Sequence, residues 1–136
     1  MKPQLESYRL GIDDIDSQHY ALFETIDNLD VSVANGDCWL VVHTTMAELE
    51  RRVKEHFSVE ESLMRICHYP HVQQHIDEHA VFADTVQQIK QQSLTEDIPR
   101  EASQFLRDWL TQHLLTEDRK YAEHFLAVSE RFLLAF

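Results

Sequence analysis

Very little in this sequence turns the chain. Its 136 residues include only two glycines, Gly11 and Gly36, and three prolines, Pro3, Pro70 and Pro99. Sandwiches and barrels need many tight turns built from these residue types, so an all-β fold is disfavoured. Cysteine is equally scarce: Cys38 and Cys67 stand far apart and match no paired metal-ligand spacing. They read as reduced thiols, which fits a cytoplasmic protein. Positive charge is short, with 12 Lys and Arg against 24 Asp and Glu, for a formal net charge of -12. Nucleic acid and anionic membrane surfaces reward the opposite sign, so neither is expected as a partner. The acidic surplus reads as a charge for solubility. No apolar run approaches membrane-spanning length, and Met1 to Leu10 holds no stretch suited to a signal peptide.

What is present is helix-forming pattern. Hydrophobic residues make up 43 % and charged residues 26 %, a globular balance over the length of one ordinary domain. No repeat, linker or low-complexity tract divides the chain, so residues 1–136 read as a single domain. Residues 1–11 read as an extended N-terminal arm, 12–128 as the helical body and 129–136 as a helical extension. Ile12, Ile15, His19, Leu22, Ile26, Leu29 and Val33 recur at spacings of three and four, predicting a first helix from about Asp13 to Asn35. Asn35-Gly36 suits its end, and Asp37 suits the N-cap of a second helix reaching about Ile66. The second seam runs Trp39, Val42, Met46, Leu49, Val53, His56, Glu60, Leu63 and Cys67. Pro70 fits the first turn of a third helix carrying Val72, His75, His79, Phe82, Val86 and Ile89. Ser93 to Ile98 is a polar loop, and Pro99 opens a fourth helix with Ala102, Leu106, Trp109 and His113 in register. Four amphipathic helices with short connections predict an all-α, antiparallel up-down-up-down four-helix bundle.

The informative feature is where histidine falls. His19, His56, His75, His79 and His113 lie on the inward stripes, with Glu60 beside them. An unpaired buried polar group costs on the order of 1–3 kcal/mol, and a buried carboxylate more. Six such groups in one core would consume most of a small domain's stability of ~5–15 kcal/mol. A metal cluster compensates for them directly. His56 and Glu60 are four residues apart, as are His75 and His79, so each pair shares a helix face one turn apart. A lone inward His19 would read as a hydrogen-bonded core residue, and Glu60 alone as a solvated one. Five histidines on four seams read as a metal site. Asp118 is the seventh candidate ligand. It follows His113 by five residues, about 140° around a regular helix. The apolar seam shifts there too, resuming as Asp118, Tyr121, Phe125 and Val128. One extra residue predicts a π-bulge, a kink or a helix end between His113 and Asp118. His43, His68, His71 and His124 lie off the seams, Cys67 reads as a buried apolar thiol, and Glu61 and Glu117 are expected to face solvent.

These residues carry a family resemblance. Ile15-Asp16-Ser17-Gln18-His19 resembles the first-helix motif of hemerythrins, and His56-Phe57-Ser58-Val59-Glu60-Glu61 resembles their HFxxEE segment. Met64, Tyr69-Pro70 and His75-x-x-x-His79 follow at the usual distances, then Trp109-Leu110-x-x-His113-x-x-x-x-Asp118. The resemblance runs from Gly11 to Phe125. It departs at the arm, where many bacterial members carry a tryptophan and this chain has Pro3-Gln4-Leu5.

The resemblance implies two iron ions, one held by His75, His79 and His113, the other by His19 and His56. Glu60 and Asp118 would bridge them together with an oxo or hydroxo group. Oxygen would be taken end-on at the two-histidine iron, in a pocket walled by Phe57, Trp109, Leu110 and Leu114. Imidazole and carboxylate donors suit iron and tolerate zinc, cobalt or manganese, while the absence of thiolate argues against structural zinc. Three functions compete: a free oxygen carrier or store, an oxygen- or redox-sensing input domain of a bacterial signalling protein, and a di-iron oxidase or peroxidase. No inward residue beyond the ligands offers a general acid or base, which favours binding over catalysis. Val128 to Phe136 reads VSERFLLAF, so Phe132, Leu133, Leu134 and Phe136 are expected to meet an output domain or a dimer partner. That tips the expectation toward the sensor.

Overall fold

The computed structural model describes residues 6–134. Its helices are α1 (Asp13–Ala34), α2 (Trp39–Ile66), α3 (Val72–Gln92), α4 (Arg100–His113) and α5 (Arg119–Leu134), with a π-helical turn, Leu114–Asp118, between the last two. Among the described residues there is no strand. Backbone angles stay in the right-handed helical region at His113, Leu114 and Arg119, so α4, the π turn and α5 form one continuous rod. α1 packs on α2 and on α4, and α2 packs on α3, whereas α3 and α4 touch far less. The result is the expected antiparallel up-down-up-down four-helix bundle.

The helix ends follow from local chemistry. Asp13, Asp14 and Asp16 crowd the first turn of α1, where the helix dipole favours negative charge. At its other end Gly36 takes φ +69. The Gly36 N–H then bonds the Val33 carbonyl and the Asp37 N–H the Ser32 carbonyl, at 3.2 and 3.0 Å. This double bond pattern is a Schellman stop. It also corrects the expectation for Asp37, whose N–H is engaged in closing α1; the residue preceding α2 is Cys38, with no side-chain cap. α2 ends the same way with a histidine in place of glycine. His68 takes φ 55, its N–H bonds the Arg65 carbonyl at 3.2 Å, and the Tyr69 N–H bonds the Met64 carbonyl at 2.9 Å. Tyr69 and Met64 share a small apolar cluster beneath this turn, the contact that usually accompanies such a stop. α3 begins at Val72 rather than at Pro70, with His71 before it.

The main core runs the length of the bundle and contains Leu22, Ile26, Leu29, Met46, Leu49, Val86, Leu106, Leu110 and Leu114, all at most 1 % exposed. Each such side chain contributes about 1.5–3 kcal/mol by leaving water. Trp39 departs from its expected seam position: it is 58 % exposed, because the first turn of α2 lies at the rim and inward packing starts at Val42. A 3-10 turn, Glu6–Tyr8, sits within the arm. Tyr8 stacks on Phe23, with centroids 5.0 Å apart. The buried Asp16 carboxylate accepts the N–H groups of Leu10 at 2.8 Å and Gly11 at 3.2 Å. Arg119 donates to the Ser7 carbonyl at 2.9 Å, tying the arm to the start of α5. The departure at Pro3-Gln4-Leu5 and the contacts expected of Phe132, Leu133, Leu134 and Phe136 lie outside the described residues and side chains. No helix of the described residues is long and apolar enough to cross a membrane.

Candidate metal centre

Each helix delivers its polar residues to one level of the bundle. His19 of α1, His56 and Glu60 of α2, His75 and His79 of α3, His113 of α4 and Asp118 at the close of the π turn are all buried. The π turn explains Asp118. Its wider i to i+5 winding absorbs the extra residue and returns Asp118 to the inner face. Asp118 Oδ1 thereby lies 3.1 Å from His113 Nε2. Of the π-bulge, kink or helix end expected here, the chain takes the π-helical turn.

The donor atoms fall into two sets that could each hold an ion: His75, His79, His113 and Asp118, and His19, His56, Glu60 and Asp118. Within the first, His75 Nε2 lies 3.0 Å from His113 Nε2 and 2.9 Å from Asp118 Oδ1. Within the second, His56 Nε2 lies 3.3 Å from Glu60 Oε2, and His19 Nε2 lies 3.5 Å from Glu60 Oε2 and 3.3 Å from Asp118 Oδ2. Two donors about 2.0–2.1 Å from a common ion and at right angles would be about 3 Å apart, which matches this spacing. The carboxylates straddle the sets. Asp118 points Oδ1 at His75 and His113 and Oδ2 at His19; Glu60 points Oε2 at His19 and His56 and Oε1 at His79, 3.3 Å away.

This cluster does not satisfy itself. His19 Nδ1 and Nε2, His56 Nε2, His75 Nδ1, His79 Nε2 and Glu60 Oε1 are buried without a hydrogen-bond partner. At about 1–3 kcal/mol each, such orphans are tolerated when something else engages them. Five imidazole lone pairs and two carboxylates suit a pair of divalent or trivalent cations, so the donor set fits the group it would receive.

Electrostatics agree. Burial works against a charged His19, yet the carboxylates of Asp118 and Glu60, 3.3 and 3.5 Å from its Nε2, raise its pKa to about 9. His113 is likewise raised, burial being outweighed by Asp118, Glu60 and Glu78. Burial opposes ionisation of Glu60, but the charge of His56 and contacts from His19, His56 and His79 hold it well below the usual carboxylate range. Asp118 is held below its ordinary value by His113, His19 and His75, against burial and the charge of Glu60. The metal-free centre therefore holds protons where cations belong, and binding metal releases them.

Outer partners orient the rings. His56 Nδ1–H donates to Gln18 Oε1 at 2.7 Å, His79 Nδ1–H donates to Glu61 Oε2 at 3.0 Å, and His113 Nδ1 lies 3.2 Å from Glu78 Oε2. A proton on Nδ1 leaves the Nε2 lone pair facing the centre. Glu61 thus corrects the expectation that it faces solvent: it is half-buried and turned onto the neighbouring helix. Glu117 is also half-buried and pairs with Lys120. The sequence reading missed Gln18 and Glu78 in this role, and searching for a carboxylate or amide beside each histidine would have raised them. Tyr121, on the resumed seam, donates its hydroxyl to Glu60 Oε2 at 2.6 Å. Burial and the charges of Glu60 and Asp118 push its phenol upward, keeping it a donor.

Of the expected wall residues, Phe57 stacks on His79 (3.7 Å, 1°) and Trp109 on His113 (4.5 Å, 15°), both on the three-histidine side. Leu110 and Leu114 are fully buried in the main core. His43 bonds the Ser93 hydroxyl, His124 donates to the Cys67 carbonyl, and neither joins the cluster. Cys67 is buried, and burial pushes its thiol upward, as suits an inert packing group.

Fold and donor set together define a four-helix-bundle protein with a histidine- and carboxylate-lined site for two metal ions. The comparisons narrow this class. Residues 10–125 match the family model described as Hemerythrin HHE cation binding domain. A bacteriohemerythrin of Stenotrophomonas maltophilia is 30 % identical over 93 % of this chain and 83 % of its own length. A myohemerythrin of Theromyzon tessulatum is 26 % identical over 85 % and 87 %. A solved hemerythrin, a leucine-to-tyrosine variant, superposes with a TM-score of 0.79 at 22 % identity, over 84 % of this chain and 88 % of that one. The chain belongs to the hemerythrin family, whose members bind oxygen at a di-iron centre.

Proposed function

We propose that this chain is a single domain that binds molecular oxygen reversibly at two iron ions, as the oxygen- or redox-sensing input of a cytoplasmic signalling protein. In this reading His75, His79 and His113 would hold one iron and His19 and His56 the other, with Glu60 and Asp118 each offering an oxygen to both sets. The observation that carries it is the straddling of the two carboxylates, each with one oxygen toward each donor set. When bound, the iron pair supplies the electrons and the open coordination position that oxygen requires.

The chain's own residues do the rest. Gln18, Glu61 and Glu78 hold three imidazoles with Nε2 inward. The Tyr121 hydroxyl fixes the Glu60 carboxylate. Leu110 and Leu114 bring apolar surface and exclude water, which slows loss of reduced oxygen species, while Phe57 and Trp109 brace the three-histidine side. Two free cysteines without a disulfide support the cytoplasmic placement.

The sensing part rests on the rod: Asp118 lies on the same continuous helix as α5, so a change at the centre is transmitted along it. A free oxygen carrier is the alternative. To test oxygen binding, the iron-loaded protein is reduced without air, oxygen is admitted, and visible absorption is followed. We expect two irons per chain and a charge-transfer band that vanishes under argon. Irreversible bleaching with no oxygenated spectrum refutes reversible binding. Hydrogen exchange in α5 that is identical with and without oxygen favours the carrier.

A further inference from the structure

The α3 and α4 backbones lie farther apart than those of the other neighbouring helices, and outside the side chains that bridge them (Phe82 stacks on Trp109 at 4.2 Å) an open groove of about 600 Å³ runs between the two. Its floor is His113 and its wall is Trp109, whose indole stacks on that imidazole at 4.5 Å and 15°. Val81 and Phe105 line it although they are 63 % and 50 % exposed, so it presents apolar and aromatic surface to solvent. Glu78, Asp108 and Glu117 are its charged residues, and no lysine or arginine lines it; Lys120 stands nearby, paired with Glu117. The other grooves differ. The one between α1 and α2 includes Arg52 and reaches no candidate ligand, and the one over His79 includes Lys54 and Arg65.

We propose that this groove docks the basic face of a one-electron donor protein, which returns the oxidised centre to its reduced state. The inference rests on the di-iron reading above. Apolar surface with an aromatic centre and a rim of one charge sign suits a protein contact that forms quickly and parts quickly. The donor gives up one electron per encounter, which would reduce a ferric ion that His113 would hold. Two encounters would return both irons to the ferrous state. Only electrons cross, through the stacked Trp109 and His113 rings, and no protein bond is made or broken.

The test uses the oxidised, iron-loaded full chain and hexaammineruthenium(II), a cationic one-electron reductant. Phe105→Lys places a positive charge in the groove, and Leu40→Lys places the same charge at an exposed site at the start of α2. We expect Phe105→Lys to slow reduction roughly fivefold at low salt and Leu40→Lys less than about twofold. The difference should vanish near ~1 M salt, where the screening length falls to ~3 Å. Equal slowing of both variants, or none with Phe105→Lys, overturns the proposal. A second arm needs no iron: decalysine is coupled to the chain with a carbodiimide and the linked carboxylates are mapped. Links concentrated at Glu78, Asp108 and Glu117 support the groove, whereas links spread over acidic residues in proportion to exposure refute it. Failure of the di-iron reading itself would show beforehand, as absence of ferric absorption in the untreated protein.

Discussion

At the end of the bundle near the α1–α2 and α3–α4 connections, the helices contribute Ile26, Leu29, Met46, Leu49, Val86 and Leu106, none more than 1 % exposed. At the other end the same helices contribute His19, His56, Glu60, His75, His79 and His113, none more than 4 % exposed. Burial is nearly equal and the chemistry is opposite. The apolar end gains stability simply by excluding water. The polar end gathers two carboxylates and orphaned atoms that face the centre, among them Nε2 of His19, His56 and His79 and Oε1 of Glu60, and these are the atoms that cations would engage. One fold thus contains a region that stabilises itself and a region that must be completed by its ligand. The second is held in place by the first.

That contrast can be broken most severely at Asp118, the one donor common to both sets. Asp118→Ala is expected to reduce bound iron from two per chain to one or none, with the melting temperature falling to that of the metal-free protein. Iron analysis and calorimetry check this. Unchanged iron content would show that Asp118 is not the shared ligand. At the apolar end, Leu49→Ala should cost about 2–5 kcal/mol in urea unfolding, by a similar amount with and without iron. A loss confined to the iron-loaded form would deny that the two ends are separable.

Between these in mechanism and smaller in effect is Glu61→Ala, which frees the His79 ring. About 10–100-fold weaker metal binding is expected, with Glu61→Gln retaining most of the affinity because its amide oxygen still accepts the proton. Chelator competition measures both.

The smallest effect concerns pH and sharpens the contrast within the metal-free protein. The folded pKa of His19, about 9, lies above its ordinary 6.5, so its contribution is full below pH 6.5 and is lost as pH rises through about 9. Glu60 and Asp118 are lowered, so their contribution holds above their ordinary values of 4.5 and 3.8 and is lost as pH falls further. Urea midpoints of the metal-free protein should therefore decline on the alkaline side. Those of the iron-loaded protein should not, because its histidines are already neutral ligands. Parallel alkaline declines in both forms would contradict the assignment of His19 as a ligand.

The bundle was legible because its signal is periodic and local. Threes and fours from Ile12 to Val33 and from Val42 to Leu63 specify buried stripes whatever the neighbours are. Trp39 shows the limit, since a seam residue in the first turn has nothing above it to pack against. The donors were legible for a related reason: a histidine on an apolar stripe is expensive, and the expense is visible without coordinates. The break in register between His113 and Asp118 called for an irregularity there, a π-bulge, kink or helix end, and packing decided for the π turn.

Residue order alone therefore determined that seven polar side chains are turned into a helical core, because each helix's inward face is a property of that helix. Which oxygen of Glu60 and Asp118 faces which histidines, that Glu61 reaches across to His79, and that an open groove between α3 and α4 is lined by His113 were decided only by packing. Each of these depends on the distance and rotation between two helices, which no single helix's periodicity encodes.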